Sequence, residues 1–100
     1  MPSSVVSKNN IPVRLTDERW AHIIEEHGEL DSLQLGVLET VANPEYIFAG
    51  DKGELLAVRT VSEGKWLIVV YRELETDGFI ITAFVTRRAN WFTRRERRWP

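Results

Sequence analysis

Both histidines of this chain, His22 and His27, fall in one stretch from Leu15 to Leu30, LTDERWAHIIEEHGEL. Imidazole is the side chain whose ordinary pKa lies nearest neutrality, so these two are the first candidates for proton transfer. Five residues apart on a helix, they point about 140° away from each other. That spacing does not make the i, i+4 pair that binds a metal, and the two could reach one site only from its two sides. The chain has no cysteine, hence no thiolate zinc ligand, no cysteine nucleophile and no disulfide. Arg59 and Arg72 lie in otherwise apolar stretches. A guanidinium does not lose its proton, and each must reach solvent, a carboxylate such as Glu54 or Glu73, or a phosphate. Tyr71 and Thr82 add hydroxyls that can position a ligand. The C-terminal RRANWFTRRERRW interleaves arginine, Arg87 and Arg88 first, with Trp91, Phe92 and Trp99. That mixture suits phosphates and bases, and equally an acidic protein partner or the protein's own acidic body.

The elements that must hold these groups are readable in outline. Thr16 is a good N-cap, with Asp17 and Glu18 in the first turn and Gly28 just past the end. Trp20, Ile23, Ile24 and His27 form one buried stripe, with His22 off it. A second helix begins near Asp31 or Ser32 and stops at Asn43-Pro44. Strands are expected over residues 46–49, 55–61, 66–73 and 79–86, separated by Gly-containing turns. The fold expected is α+β: two N-terminal helices on a four-stranded antiparallel β-meander, with a short third helix available after Ala89. Residues 1–12 read as a flexible leader, 13–88 as the single domain, and 89–100 as a basic aromatic tail. Taking Glu63-Gly64 and Asp77-Gly78 as two-residue turns puts Tyr71 and Thr82 on one sheet face and Arg59 and Arg72 on the other. A one-residue slip in either hairpin mixes these sets. Two helices cover one face; the other is a binding surface or lies under the tail.

A chain of 100 residues, 43% hydrophobic and 28% charged, is the size of one globular domain. No apolar run is long enough to span a bilayer, and the first ten residues lack the apolar centre of a secretory signal. No membrane association and a cytoplasmic location are therefore expected. The net charge of −2 hides an asymmetry. From Arg87 onward there are six arginines against Glu96 alone, while the remaining 7 basic and 14 acidic side chains precede them. An acidic body with a basic end fits a domain whose end engages something anionic, or a solvated terminal helix.

Three short motifs carry a resemblance: His22-Ile23 with His27-Gly28-Glu29, Asn43-Pro44-Glu45, and Thr82-Ala83-Phe84. Together with WLIVVYRE and DGFIITAFVT, they resemble the barnase–EndoU–colicin–RelE-like (BECR) nucleases of small phage and bacterial proteins, over roughly residues 13–88. Relatives commonly carry proline at the position of Gly28, and many have tyrosine at that of Phe84, so a hydroxyl is missing here. The resemblance implies a RelE/barnase-like domain acting as a metal-independent endoribonuclease or toxin component, with no cofactor. It implies RNA as substrate and a cognate antitoxin or other protein as partner. Cleavage by the RNA's own 2′-hydroxyl needs a base, an acid and cationic donors for the phosphate. His22 and His27, with Tyr71 and Thr82 positioning, are the catalytic candidates; Arg59, Arg72, Arg87 and Arg88 are the phosphate-binding ones. The alternative is a non-catalytic interaction module that keeps the fold, or one that self-associates as a homodimer.

Overall fold

The computed structural model describes residues 3–100. It is α+β, but the expected four-stranded meander under two N-terminal helices is corrected. The sheet is mixed, has seven strands, and is accompanied by three α-helices. In chain order these are β1 (Ser3–Val6), β2 (Pro12–Leu15), α1 (Asp17–Glu26), α2 (Gln34–Ala42), β3 (Tyr46–Ala49), β4 (Leu55–Ser62), β5 (Lys65–Glu73), β6 (Gly78–Thr86), α3 (Asn90–Thr93) and β7 (Arg97–Trp99). A 3₁₀ turn, Gly28–Leu30, links α1 to α2. Across the sheet the order is β1-β2-β6-β5-β4-β3-β7. Only β2 against β6 is parallel, Val13 lying opposite Gly78 and Arg14 opposite Phe79.

Of the three added strands, β1 and β7 come from the segments read as leader and tail, and β2 from the start of the expected domain. β1 and β2 form a hairpin around the polar Ser7–Ile11 loop. There the Ser7 N–H donates to the Ile11 carbonyl at 2.9 Å, and Asn10 takes the left-handed conformation at φ +66°. The Ser7 hydroxyl, buried, donates to the Glu73 carboxylate and accepts the Asn9 and Ile11 amides. Arg14 pairs with Asp77 at 2.6 Å, closing the far side of the same joint. A side chain at Gly78 would come within 2.4 Å of the Arg72 carbonyl, so glycine is what lets the start of β6 pass there. Met1 and Pro2 lie outside the described residues.

α1 begins as its sequence dictates. The Thr16 hydroxyl accepts the Arg19 amide at 3.0 Å, Asp17 and Glu18 fill the first turn, and His27 caps the end. α1 and α2 bury Ile23, Val37 and Val41 against Ala57, Val69, Tyr71 and Ala83 on one sheet face. The opposite face is also apolar and carries Leu56, Val58, Ile68 and Val70. It is covered by residues 89–92, with Phe92 as the buried anchor.

Register decides which face each candidate residue takes. The Glu63-Gly64 turn forms as expected, Ser62 lying opposite Lys65 and Gly64 taking φ +72°. Val61, however, has no partner between the Thr60–Trp66 and Ser62–Lys65 pairs. Ile81 is likewise the extra residue between Tyr71–Ile80 and Val70–Thr82. Each bulge shifts the in–out alternation by one residue. The expected face sharing is therefore corrected: Tyr71 packs on the helix side and Thr82 lies on the other, while Arg59 and Arg72 are split between faces.

Candidate nucleic-acid interface

Arg72, Thr82, Arg87 and Arg88 lie on the face without α1 and α2, around α3. The turn that starts α3 is held by the Thr86 hydroxyl, which accepts the Arg88 amide at 3.1 Å. The Arg88 carbonyl accepts the Trp91 amide at 3.0 Å and that of Ala89 the Phe92 amide at 3.1 Å. Phe92 is 3% exposed, with its ring 5.5 Å from those of Phe48 and Trp66. Trp91 meets Phe84 edge-on at 5.2 Å. Its carbonyl and ring both engage Arg95, one turn later: the guanidinium lies 4.7 Å over the indole and Nε donates to the carbonyl at 3.2 Å. Arg95 also pairs with Asp51 at 2.8 Å. β7 then adds to β3, and Arg97 lies 5.8 Å over the Tyr46 ring.

Three hollows surround α3, and shared walls connect them. Arg87, Arg88, Ala89, Asn90, Trp91 and Arg94 line the first. Trp91 also walls the second, which reaches under the Gly50–Gly53 turn to Arg72 and Thr82. Arg95 divides the second from the third, where Tyr46, Trp66 and Arg97 lie. Arg87, Arg88 and Arg94 have no carboxylate partner among the described residues. Acidic side chains concentrate elsewhere, with Glu18, Glu25, Glu26 and Glu29 exposed on α1 and the turn after it.

The candidates from sequence are distributed unevenly over this map. Arg87 and Arg88 line the first hollow; Arg72 and Thr82 meet in the second. Arg72 donates to the Lys52 carbonyl at 2.7 Å, which braces the turn. Glu54 caps the same turn, accepting the Lys52 amide at 2.8 Å. Its carboxyl is held below the ordinary value by its own backbone amide, then by that of Lys52, with the Arg72 charge adding to both. Arg59 is occupied on the helix side, donating to the Asn43 carbonyl at 3.3 Å and lying 3.6 Å from Glu39. His22 is exposed on α1 and 3.0 Å from Glu26. His27 lies at the β6 edge, its ring 6.2 Å from that of Phe84 and its Nδ1 3.8 Å from Glu29. Through Phe84, His27 is one ring removed from Trp91, although it lines none of the three hollows itself.

Tyr71 is wholly buried, and its hydroxyl has no hydrogen-bond partner among the described residues. Burial, with the Glu73 charge second, raises its pKa well above the ordinary phenol value. An unpaired buried hydroxyl costs about 1–3 kcal/mol. Tyr71→Phe keeps the ring packing and removes that cost, so urea unfolding of the variant should show stability unchanged or raised by about 1 kcal/mol. A loss of several kcal/mol would reveal a partner for the hydroxyl.

Arg94, Arg95 and Tyr46 were not singled out by the sequence reading. The Trp91–Arg95 spacing of i, i+4 was the available signal, since it brings the guanidinium back over the indole just past the end of α3. No helix is long and apolar enough to cross a membrane among the described residues. No protein-family description, curated protein or solved structure matches this chain.

Proposed function

We propose that this chain is an RNA-directed domain of the RelE/barnase-like kind, binding RNA on its α3 face and cleaving it without metal, with His27 in the proton-transfer role. One observation carries the reading: Arg87, Arg88 and Arg94 surround Trp91 in one hollow with no carboxylate to neutralise them. Such cations gain from phosphate contact because counterions are released. Indole and guanidinium planes beside them offer stacking surfaces to bases. The acidic α1 surface repels a polyanion and so favours approach by the α3 face. His27 lies beside Phe84, the ring that meets Trp91, whereas His22 is paired with Glu26 and Tyr71 is sealed in the core. The dispersal of the four catalytic candidates favours the second reading, a module that binds RNA without cutting it.

Fluorescence anisotropy with single-stranded RNA, beside a cleavage assay in EDTA, tests both. The wild type should bind tightly at low salt and weaken steeply as salt rises. His27→Ala should abolish cleavage and leave binding in place. Binding without cleavage by the wild type selects the non-catalytic module. No binding at low salt overturns the proposal.

A further inference from the structure

The second hollow has features that a plain phosphate-contact surface does not need. It measures about 440 Å³ and is bounded by the Gly50–Gly53 turn on one side and Trp91 on the other. That is within the size range of small-molecule sites, about 300–1,000 Å³. Its floor is apolar, made by Leu56, Val70, Ile81 and Phe84. Three cations, Lys52, Arg72 and Arg95, line it against two carboxylates, Asp51 and Glu54. Both carboxylates are engaged already, Asp51 by Arg95 and Glu54 by the Lys52 amide. Arg72 spends one terminal nitrogen on the Lys52 carbonyl, leaving its other N–H groups for a ligand. The Thr82 hydroxyl has no hydrogen-bond partner among the described residues. Arg72 and Arg95 are therefore held in place before any ligand arrives, and each carboxylate already has one oxygen engaged.

We propose that this hollow is a subsite for one unpaired nucleotide, its base on the Trp91–Arg95 stack and its phosphate on Arg72 and Thr82. The assignment rests on the RNA reading above and deepens it. A duplex keeps its bases stacked inside and offers its backbone outside, so it is an unpaired base that can lie against the Trp91 and Arg95 walls. The base gains a stacking surface and an apolar floor; the phosphate gains a charge-assisted pair from Arg72 and a hydroxyl donor from Thr82. The first hollow, with its open ring of Arg87, Arg88 and Arg94, then receives the neighbouring backbone across their shared wall, Trp91.

The test follows the Trp91 indole N–H by NMR, the signal being identified by its loss in Trp91→Phe. Uridine 5′-monophosphate should shift that signal in the wild type. Arg72→Gln and Thr82→Val should each weaken this response by about tenfold, the effect of losing one charge-assisted hydrogen bond. Thr82→Val is nearly isosteric and guards against a folding artefact in Arg72→Gln. Short single-stranded RNA should lose affinity by a similar factor in both variants, while a blunt duplex of equal length should bind both variants like the wild type. An unmoved Trp91 signal, or single-stranded RNA binding that ignores both variants, overturns the subsite. If the wild type binds RNA and the variants bind it equally well, the subsite falls and the RNA reading stands. If the monophosphate binds but RNA does not, the hollow is a free-nucleotide site and the RNA reading falls.

Discussion

Replacing Arg87, Arg88 and Arg94 together by glutamine should cost about 100-fold in affinity for single-stranded RNA at 0.1 M salt. Each phosphate contact on a single strand releases about 0.7 of a counterion, so three lost contacts lower the salt slope by about 2. These three have no carboxylate partner in the free protein among the described residues. Arg98 is held by Glu96 at 2.6 Å, and Arg95 by Asp51 at 2.8 Å, so each would exchange one anionic partner for another. Arg87, Arg88 and Arg94 exchange only water and counterions. All three are exposed, so the variant should unfold at the same urea concentration as the wild type. The measurement is affinity across a salt series. A slope equal to that of the wild type would place the RNA elsewhere.

Local signals read well and long-range pairing read poorly. The α1 cap at Thr16, the break at Pro44 and the strand Tyr46–Ala49 all follow from chemistry within a few residues of each boundary. β1 and β2 are four residues each, separated by Ser-Lys-Asn-Asn-Ile, and β2 starts on a proline. Their apolar alternation, Val13 and Leu15 inward, is too short to stand out, and β2 is a strand because β6 lies beside it. The bulges at Val61 and Ile81 leave no mark in the local sequence, yet they move Thr82 and Arg72 to one face and Tyr71 and Arg59 to the other. The site followed the same division. Residue types pointed to the arginines and histidines, but their grouping depended on register and on where residues 89–99 fold back.

That fold-back gives the largest stability effect expected here: Phe92→Ala should cost about 3–5 kcal/mol. Domains of this kind have about 5–15 kcal/mol in total, so the variant would lose a large part of its margin. Two polar contacts of the same segment contribute less, as their magnitudes show. The Arg95–Asp51 pair lies at 2.8 Å, but Asp51 is 79% exposed, and pairs of that kind contribute about 0–1 kcal/mol. The Ala49 amide donates to the Glu96 carbonyl at 2.8 Å, a bond whose net worth is about 1 kcal/mol. Phe92 instead fills the centre of an aromatic cluster with Phe48 and Trp66, and truncation leaves a cavity that the β-sheet, braced by α1 and α2 behind it, is poorly able to close. Urea unfolding should therefore rank Phe92→Ala far above Asp51→Asn. RNA affinity should fall in the Phe92 variant as well, because Arg87, Arg88 and Arg94 lose the seat that gathers them around Trp91. The two arms separate anchoring from contact: the arginine variant loses affinity at full stability, and the Phe92 variant loses both. A Phe92→Ala cost below about 1 kcal/mol would mean that the segment only leans on the sheet, and the three hollows would then have no fixed wall in common.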